Sequence, residues 1–497
     1  MSMETLLHDE IQAVDVNLEE DEIEFIDQIG TEHKSYSIAE CLPCFNSRTE
    51  LKTGIPYKNI LWCEGIDEVS SLDVLSIAYL HAVKNDFQLK KIYIRVKNKI
   101  TPPKSGITTS STKELILSKA YPHGITARSV LILINPMGGK GHALEIYRTK
   151  ILPVLEAAQV NITYKATEYH GHAKDIARDL DPNLYDMIIC CSGDGIPHQV
   201  INGFYEKPDK GVKAFSKVII THLPCGSGNG FSLSTHGTSD ATHATLLMLK
   251  AKKTRLDLMA VTQGVGDKEK TSLSFLSQCF GIIADADIGT EHLRWMGPIR
   301  FDLGVLYGIL KRVEYPCDLY VKYVSKKDNL EEYYSNNYYR DDSQMADLSA
   351  QDLETFSPKL DQPPPSDWER FSSDVTSKLN VFYVGKMPYI SKDVQFFPAA
   401  LPNDGSMDMI ISDTSASITE TISSLSLIEK GTHVLQDNIH HSKISSYRLI
   451  PKLKSTDGHF LSVDGELFPI EPLQVDILPG VMISLLQDGS FVSTSFT

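Results

Sequence analysis

Between residues 129 and 223 the apolar positions fall into a repeating pattern. Ser129–Ile134, Asp186–Cys191 and Lys217–Leu223 are short, almost unbroken apolar runs, and Asn161–Thr167 is strand-like. Such runs, bounded by turn residues, predict strands buried on both faces. Between them a helical run starts at His142, and His172–Leu180 sets Ala173, Ile176, Ala177 and Leu180 on one helical face. Strands alternating with amphipathic helices predict a mostly parallel, doubly wound α/β sheet. In such sheets ligands bind at the carboxyl ends of the strands. Three runs end in Gly-rich segments: Asn135–Gly141, Ser192–Gly195 and Pro224–Asn229.

After about residue 255 the pattern changes to short strands separated by turn signals: Leu379–Val384, Met407–Ile411, Ser446–Ile450, Phe460–Val463, Leu473–Leu478 and Val481–Leu485. These predict a β-sandwich second domain. One helical exception, Ile299–Val313, carries Leu303, Leu306, Tyr307 and Leu310 on one face. That stripe reads as a core face. Upstream, Asn59–Cys63 and Lys90–Val96 predict strands, with a helical stretch around Ser70–Val83 between them. The expected plan is an acidic disordered tail (1–35) in which Ile23, Phe25 and Ile26 dock locally, then a small module and linker (36–126). An α/β domain (127–252) and a β-rich domain (253–324 and 367–497) follow, the latter interrupted by a disordered insertion (325–366).

A chain of 497 residues with 42% hydrophobic and 23% charged residues fits two globular domains. No apolar run reaches the roughly 18–20 residues that span a bilayer, and the N-terminus lacks a basic segment followed by an apolar core. This predicts a cytoplasmic protein, peripherally associated with membranes. Eleven of the net sixteen negative charges sit in residues 1–33, so the body is nearly neutral. A chain without a basic surface is not expected to bind nucleic acid. Cys41 and Cys44 form half of a zinc pattern that no second pair completes. Reversible S-acylation of both is the alternative, because two acyl chains anchor stably where one is marginal.

Glycines let backbone amides approach a phosphate and adopt positive φ, so each Gly-rich segment is a candidate anion nest. The first contains Gly138, Gly139, Lys140 and Gly141 but is not a Walker A loop, which requires Gly-Lys-Ser/Thr. One such segment is an ordinary strand-to-helix turn; three at strand ends point to a phosphate-rich ligand. Asp194, flanked by glycines, is placed either to accept a hydroxyl proton or to help hold Mg²⁺, the two carboxylate tasks in phosphoryl transfer.

Asn135-Pro136-Met137-Gly138-Gly139-Lys140-Gly141, the stretch Ser192–Gly203 and Leu223-Pro224-Cys225-Gly226-Ser227-Gly228-Asn229 resemble the three nucleotide loops of the diacylglycerol/sphingosine kinase family. Gly226–Asn229, Phe280–Asp287, Arg294–Phe301 and Phe460–Glu466 resemble its sphingosine kinase branch, and residues 379–411 and 425–478 resemble fungal long-chain base kinases. The resemblance implies an ATP-dependent, Mg²⁺-requiring lipid kinase that phosphorylates the primary hydroxyl of a sphingoid base at a membrane surface. It implies that Asn135 to Gly141, Thr167, Ser192, Gly193, Gly226 and Ser227 line the nucleotide, and that Asp194 is the general base. It also implies that Asp287 meets the sphingoid ammonium, that Arg294 and Arg300 neutralise ATP phosphates, and that Asp464, Gly465 and Glu466 close on the nucleotide. By the same resemblance 127–252 is the ATP-binding domain and the β-rich domain binds the lipid, with the 299–313 stripe equally a core face or a cover for the alkyl chain.

Two positions depart from the family pattern. Gln199 stands where the family has Glu, and Gly230 where it has Ala. Gln keeps the hydrogen-bonding capacity and loses the charge. The alternatives are a diacylglycerol or ceramide kinase, an NAD kinase, and a catalytically weakened lipid-binding relative. Asp287 argues against the first, since those lipids are neutral at the head; the sequence after 280 argues against the second; only Gln199 argues for the third.

Overall fold

The computed structural model describes residues 11–12, 15–18, 21–26, 52–65, 74–84, 86–95, 109–124, 129–290, 292–293, 299–338, 353 and 360–496. The chain divides into two compact units, residues 1–125 with 150–160, and residues 126–149 with 161–497.

The first unit holds a three-stranded sheet of Asp15–Leu18, Glu22–Ile26 and Lys52–Pro56. A second sheet orders Ile11–Gln12, Asp86–Arg95, Val74–Val83 and Ile60–Gly65, and helix Thr109–Ala120 contacts Ile60–Gly65. Two expectations are corrected here. Part of the acidic tail is paired strand, and Ile23 is fully buried. Val74–Val83 is a strand, not a helix, pairing along its whole length with Asp86–Arg95. Its Val, Ile and Tyr content suits a pleated surface, and a partner two residues downstream outweighs weak helical periodicity.

In the second unit, β1 (Ser129–Ile134), β2 (Asn161–Ala166), β3 (Met187–Ser192) and β4 (Ile219–Pro224) form a parallel sheet ordered β4-β3-β1-β2. β3 and β4 are buried at every position, whereas β2, at the edge, is largely exposed. The order reverses between β1 and β3, which makes their carboxyl ends the switch point where such sheets bind ligands. Helix α1 (His172–Asp179) precedes β3, α2 (Gly195–Tyr205) follows it, and α3 (Gly230–His236) follows β4. α2 is apolar nearly all round and central. It lies so close to α1 that a side chain at Gly203 would strike the backbone at Lys174.

The β-rich part is one large curled, mainly antiparallel sheet. It uses β5 (Lys252–Gln263), β6 (Lys270–Ser274), β7 (Ser277–Gly281), β8 (Cys317–Lys326), β9 (Leu379–Gly385), β10 (Met407–Asp413), β11 (His440–Pro451), β12 (Leu461–Val463), β13 (Glu466–Phe468) and β14 (Leu473–Leu486). Its main path runs β6-β5-β14-β11-β10-β9-β7-β12-β13, with β8 on β11. β14 was expected as two strands split at Pro479-Gly480. It continues instead, because the register with β5 shifts between Leu256 and Leu258, and Asp257 there accepts the Gly480 amide at 2.8 Å. A bulge thus absorbs the turn signal. Leu256, Leu258, Met482 and Leu486 join Leu131, Val200 and Phe204 in one buried cluster, so the parallel sheet and the β-rich part share a core.

Helix α4 (Ile282–Gly289) follows β7, and α5 (Ile299–Lys311) packs on it through Gly304 against Ala286 and Gly308 against Ile282. The α5 stripe is not a core face: Leu303, Leu306, Tyr307 and Leu310 are exposed, while Val305 and Ile309 are buried. The insertion expected to be disordered begins with order, since Leu330–Asn337 is a helix (α6) whose Leu330 and Tyr334 are buried. Residues 339–352 and 354–359 lie outside the described residues, as do Cys41, Cys44 and Arg294.

Candidate functional site: a phosphate-loop cleft around Asp194

The three Gly-rich segments meet at the carboxyl ends of β1, β3 and β4. After β1, the Met137 amide donates to Asn135 Oδ1 at 3.0 Å and the Gly138 amide to the Asn135 carbonyl at 2.9 Å. Asn135 therefore shapes its own loop, and Thr167 is tied to β1 by its amide on the Ile134 carbonyl at 2.8 Å. The second and third segments touch. A Cβ on Gly193 would lie 2.9 Å from the Gly228 carbonyl, and one on Gly226 would strike the Gly193 backbone. Asn229 closes the third loop by accepting the Gly226 amide at 3.1 Å and donating to its carbonyl at 2.9 Å.

Asp194 sits where these loops join. It is the residue before α2, yet it caps no amide of that helix. Its carboxylate turns instead to the start of α3, accepting the Gly230 amide at 2.8 Å on Oδ2 and the Phe231 amide at 3.0 Å on Oδ1. Its side chain is only 10% exposed. Burial pushes its carboxyl above the ordinary carboxylate range; the neighbouring His222 and the two amides pull it down, and the charge of Asp464 pushes it up. A buried carboxylate of raised proton affinity between two Gly-rich loops is the arrangement a proton acceptor needs. The glycine at position 230 also has a spatial reason: a Cβ there would lie 2.7 Å from the Tyr389 carbonyl and 2.8 Å from that of Ile390.

Asp464 was expected to contact the nucleotide, but its side chain is fully buried and committed elsewhere. Oδ1 accepts from Ser274 Oγ at 2.6 Å and from the amides of Leu276 and Ser277; Oδ2 accepts from the Phe275 amide and faces His198 Nδ1 at 2.8 Å. Asp464 and Gly465 both take positive φ in the β12–β13 turn. The next residue, Glu466, faces the cleft, its Oε1 3.6 Å from where a Cβ on Gly195 would stand. Asp464 thus aims Glu466 from behind.

Two residues that sequence reasoning gave no role complete this brace. His198 on α2 meets Asp464, and Asn202, one turn later, donates to the Leu273 carbonyl at 2.8 Å and accepts its amide at 2.9 Å. The available signal was a polar pair at i, i+4 on an otherwise apolar helix. Gln199 lies between them, its Oε1 buried without a hydrogen-bond partner.

The head-group candidate, Asp287, lies on α4 with a side chain 41% exposed. Arg300 is turned toward the end of this helix, donating to the Asp287 carbonyl at 2.9 Å and to Thr290 Oγ1 at 2.7 Å. The guanidinium expected at the ATP phosphates is thus engaged with α4. Asp285, on the same helix, is tied by Tyr315 and His459. Among the described residues no group of three or more His, Cys, Asp or Glu is placed to hold a metal.

Residues 129–261 match the diacylglycerol kinase catalytic domain, and residues 372–486 the YegS C-terminal NAD kinase beta sandwich-like domain. The chain is 30% identical over 446 residues to sphingoid long chain base kinase 4 of Schizosaccharomyces pombe, covering 90% of each protein. It belongs to the sphingoid long chain base kinase family. It is also 44% identical over 434 residues to sphingoid long chain base kinase 5 of Saccharomyces cerevisiae, covering 77% of this chain and 63% of that protein. Human sphingosine kinase 1 is 34% identical over 194 residues, covering 37% of this chain and 49% of that protein. Membership of this kinase family implies ATP as phosphate donor. The α/β catalytic domain followed by a β-sandwich-like domain is the architecture the sequence predicted.

Proposed function

We propose that this family member transfers the ATP γ-phosphate to the primary hydroxyl of a sphingoid base, with Asp194 as general base. The observation that carries the reading is the Asp194 carboxylate, buried and held by the Gly230 and Phe231 amides where two Gly-rich loops touch. The sequence left Asp194 a choice between accepting a proton and holding Mg²⁺. Near-complete burial of its side chain favours the proton. Mg²⁺ enters as part of the MgATP substrate, and Glu466, beside the start of α2, is the carboxylate the cleft offers it.

The remaining roles follow from position. The loop amides of Asn135–Gly141, Ser192–Gly193 and Gly226–Ser227 cradle phosphates, and the N-terminus of α2 points its positive end at the same place. A half-exposed Asp287 suits a cationic ammonium and has no counterpart in neutral diacylglycerol or ceramide. The exposed apolar face of α5 supports peripheral membrane binding, and S-acylation of Cys41 and Cys44 would strengthen it. No described helix is long and apolar enough to cross a membrane.

The test is phosphate transfer from labelled ATP with Mg²⁺ to dihydrosphingosine, phytosphingosine, ceramide and diacylglycerol in parallel. Transfer to the two amines alone supports the reading. Transfer to the neutral lipids would replace it with the diacylglycerol or ceramide kinase alternative. Binding without turnover would mark a weakened relative and make Gln199→Glu the next variant.

A further inference from the structure

His222 stands behind the general base. It lies on β4 with a side chain 0% exposed, and its Nε2 is 2.9 Å from the Ser192 carbonyl. A carbonyl only accepts, so Nε2 carries the hydrogen, and in the neutral ring Nδ1 is a bare lone pair. That Nδ1 has no hydrogen-bond partner and faces Asp194 Oδ1 at 3.6 Å. Two lone pairs therefore confront each other across a buried gap while Asp194 is ionised. A hydrogen placed between them converts the confrontation into a hydrogen bond.

We propose that His222 is a positioning residue for Asp194, its Nδ1 accepting the hydrogen bond of the carboxylic acid that Asp194 becomes on taking the lipid hydroxyl's proton. The inference rests on the general-base reading above. As the hydroxyl oxygen bonds to the γ-phosphorus, the bond from that phosphorus to the β,γ-bridging oxygen breaks and ADP leaves with its electron pair. The O–H bond breaks in the same event, and the proton becomes bonded to Asp194, which presents it from Oδ1 to His222. Product release and return of the proton to solvent restore the carboxylate.

The surroundings keep the ring neutral. Burial lowers the His222 pKa, opposed by the Asp194 charge and the Ser192 carbonyl. His236 is also buried and is pushed down to about 3, first by burial and then by His222, so it brings no positive charge. The charge of Asp464 favours the protonated form of Asp194. The Phe231 ring lies 6.1 Å from the imidazole and helps exclude water.

The experiment measures kcat and KM against pH for the full chain with MgATP and dihydrosphingosine, in wild type, Asp194→Asn, His222→Ala and His222→Gln. Gln reproduces both functions, an NH₂ on the Ser192 carbonyl and an acceptor oxygen toward Asp194. The expected result is an about tenfold or larger fall in kcat for His222→Ala, with KM little changed, the acid limb displaced, and most of kcat recovered in His222→Gln. An inactive Asp194→Asn beside His222 variants with wild-type pH profiles overturns this inference alone. An active Asp194→Asn overturns the general-base reading and this inference with it. Nitrogen-15 NMR of His222 in the wild-type chain decides independently of how the variants fold. An Nε2–H tautomer supports the assignment, and an Nδ1–H tautomer sinks it.

Discussion

Two clusters of buried polar side chains in the second unit are treated in opposite ways, although the β-rich part also leaves His433 and Ser484 Oγ unpaired. In the β-rich part, Lys386 reaches Asp257 at 2.7 Å and Asp404 at 2.5 Å, Lys443 reaches Asp408 at 2.7 Å, and His441 closes on Asp408 at 2.7 Å. The Gly405 and Gly480 amides take up the remaining capacity of Asp257. Around β4 and α3, by contrast, Thr221 Oγ1, His222 Nδ1 and Ser232 Oγ are buried without hydrogen-bond partners, and Gln199 Oε1 nearby on α2 shares that condition. A saturated network fixes a structure, because each member would cost free energy if left alone. Unpaired polar atoms on the elements that carry the phosphate loops are bonding capacity that the fold itself leaves unused.

The largest effect that tests this contrast is on activity. Asp194→Asn should lower transfer by about 10²–10⁴-fold, the usual worth of general acid–base catalysis, while the far-UV spectrum and melting temperature stay close to wild type. A variant that loses its fold together with its activity would erase the distinction between the two regions. Next in size is the converse substitution. Lys386→Met strands Asp257 without its cation, leaves Asp404 with Lys443 alone, and should cost about 3–5 kcal/mol in urea unfolding, with turnover per folded molecule nearly unchanged. Near-wild-type stability for that variant would mean that the network holds nothing together.

These regions were unequally legible in the sequence. The parallel sheet and its loops could be read because β1, β3 and β4 are unbroken apolar runs ending in glycine, a local signal. The network could not, because Lys386, Asp404 and Lys443 look like surface charges until strands far apart in sequence bring them together. Asp464 shows the same limit. Its partner His198 is 266 positions away, so only the family resemblance spoke for this residue, and it implied nucleotide contact where the carboxylate braces the turn from inside. Val74–Val83 misled for the opposite reason, since weak local periodicity pointed to a helix while the hairpin partner decided for a strand.

Acid separates the two regions by pH. Burial holds the Asp194 carboxyl above the ordinary range, so the base becomes protonated, and transfer falls, at a pH where most carboxylates remain charged. In the network, Asp404 is driven the other way: although burial opposes it, Lys386 and Lys443 hold its pKa well below the ordinary value. Its folded-state pKa is depressed, so its stabilising contribution is fully present above the unfolded carboxylate pKa and is lost as pH falls through the depressed value. Activity should therefore fail at a higher pH than the fold. Parallel titrations of initial rate and near-UV ellipticity check this, and coincident midpoints would contradict it.

The smallest effect is expected where nothing is bonded. Thr221 is fully buried on β4, and its Oγ1 has no partner, so the hydroxyl carries a desolvation cost without a hydrogen bond to offset it. Val has the same branched shape and replaces the hydroxyl with a methyl. Thr221→Val should therefore leave stability unchanged or raise it by about 1 kcal/mol, the reverse of a network substitution. Because Thr221 precedes His222, the same variant also asks whether the unpaired hydroxyl serves the reaction. A more stable protein with normal kcat makes it a tolerated leftover, whereas a more stable protein with lower kcat places it among the groups held ready for the substrate. A less stable protein would show that Oγ1 is bonded after all, and the contrast between the two regions would narrow to His222, Ser232, His236 and Gln199.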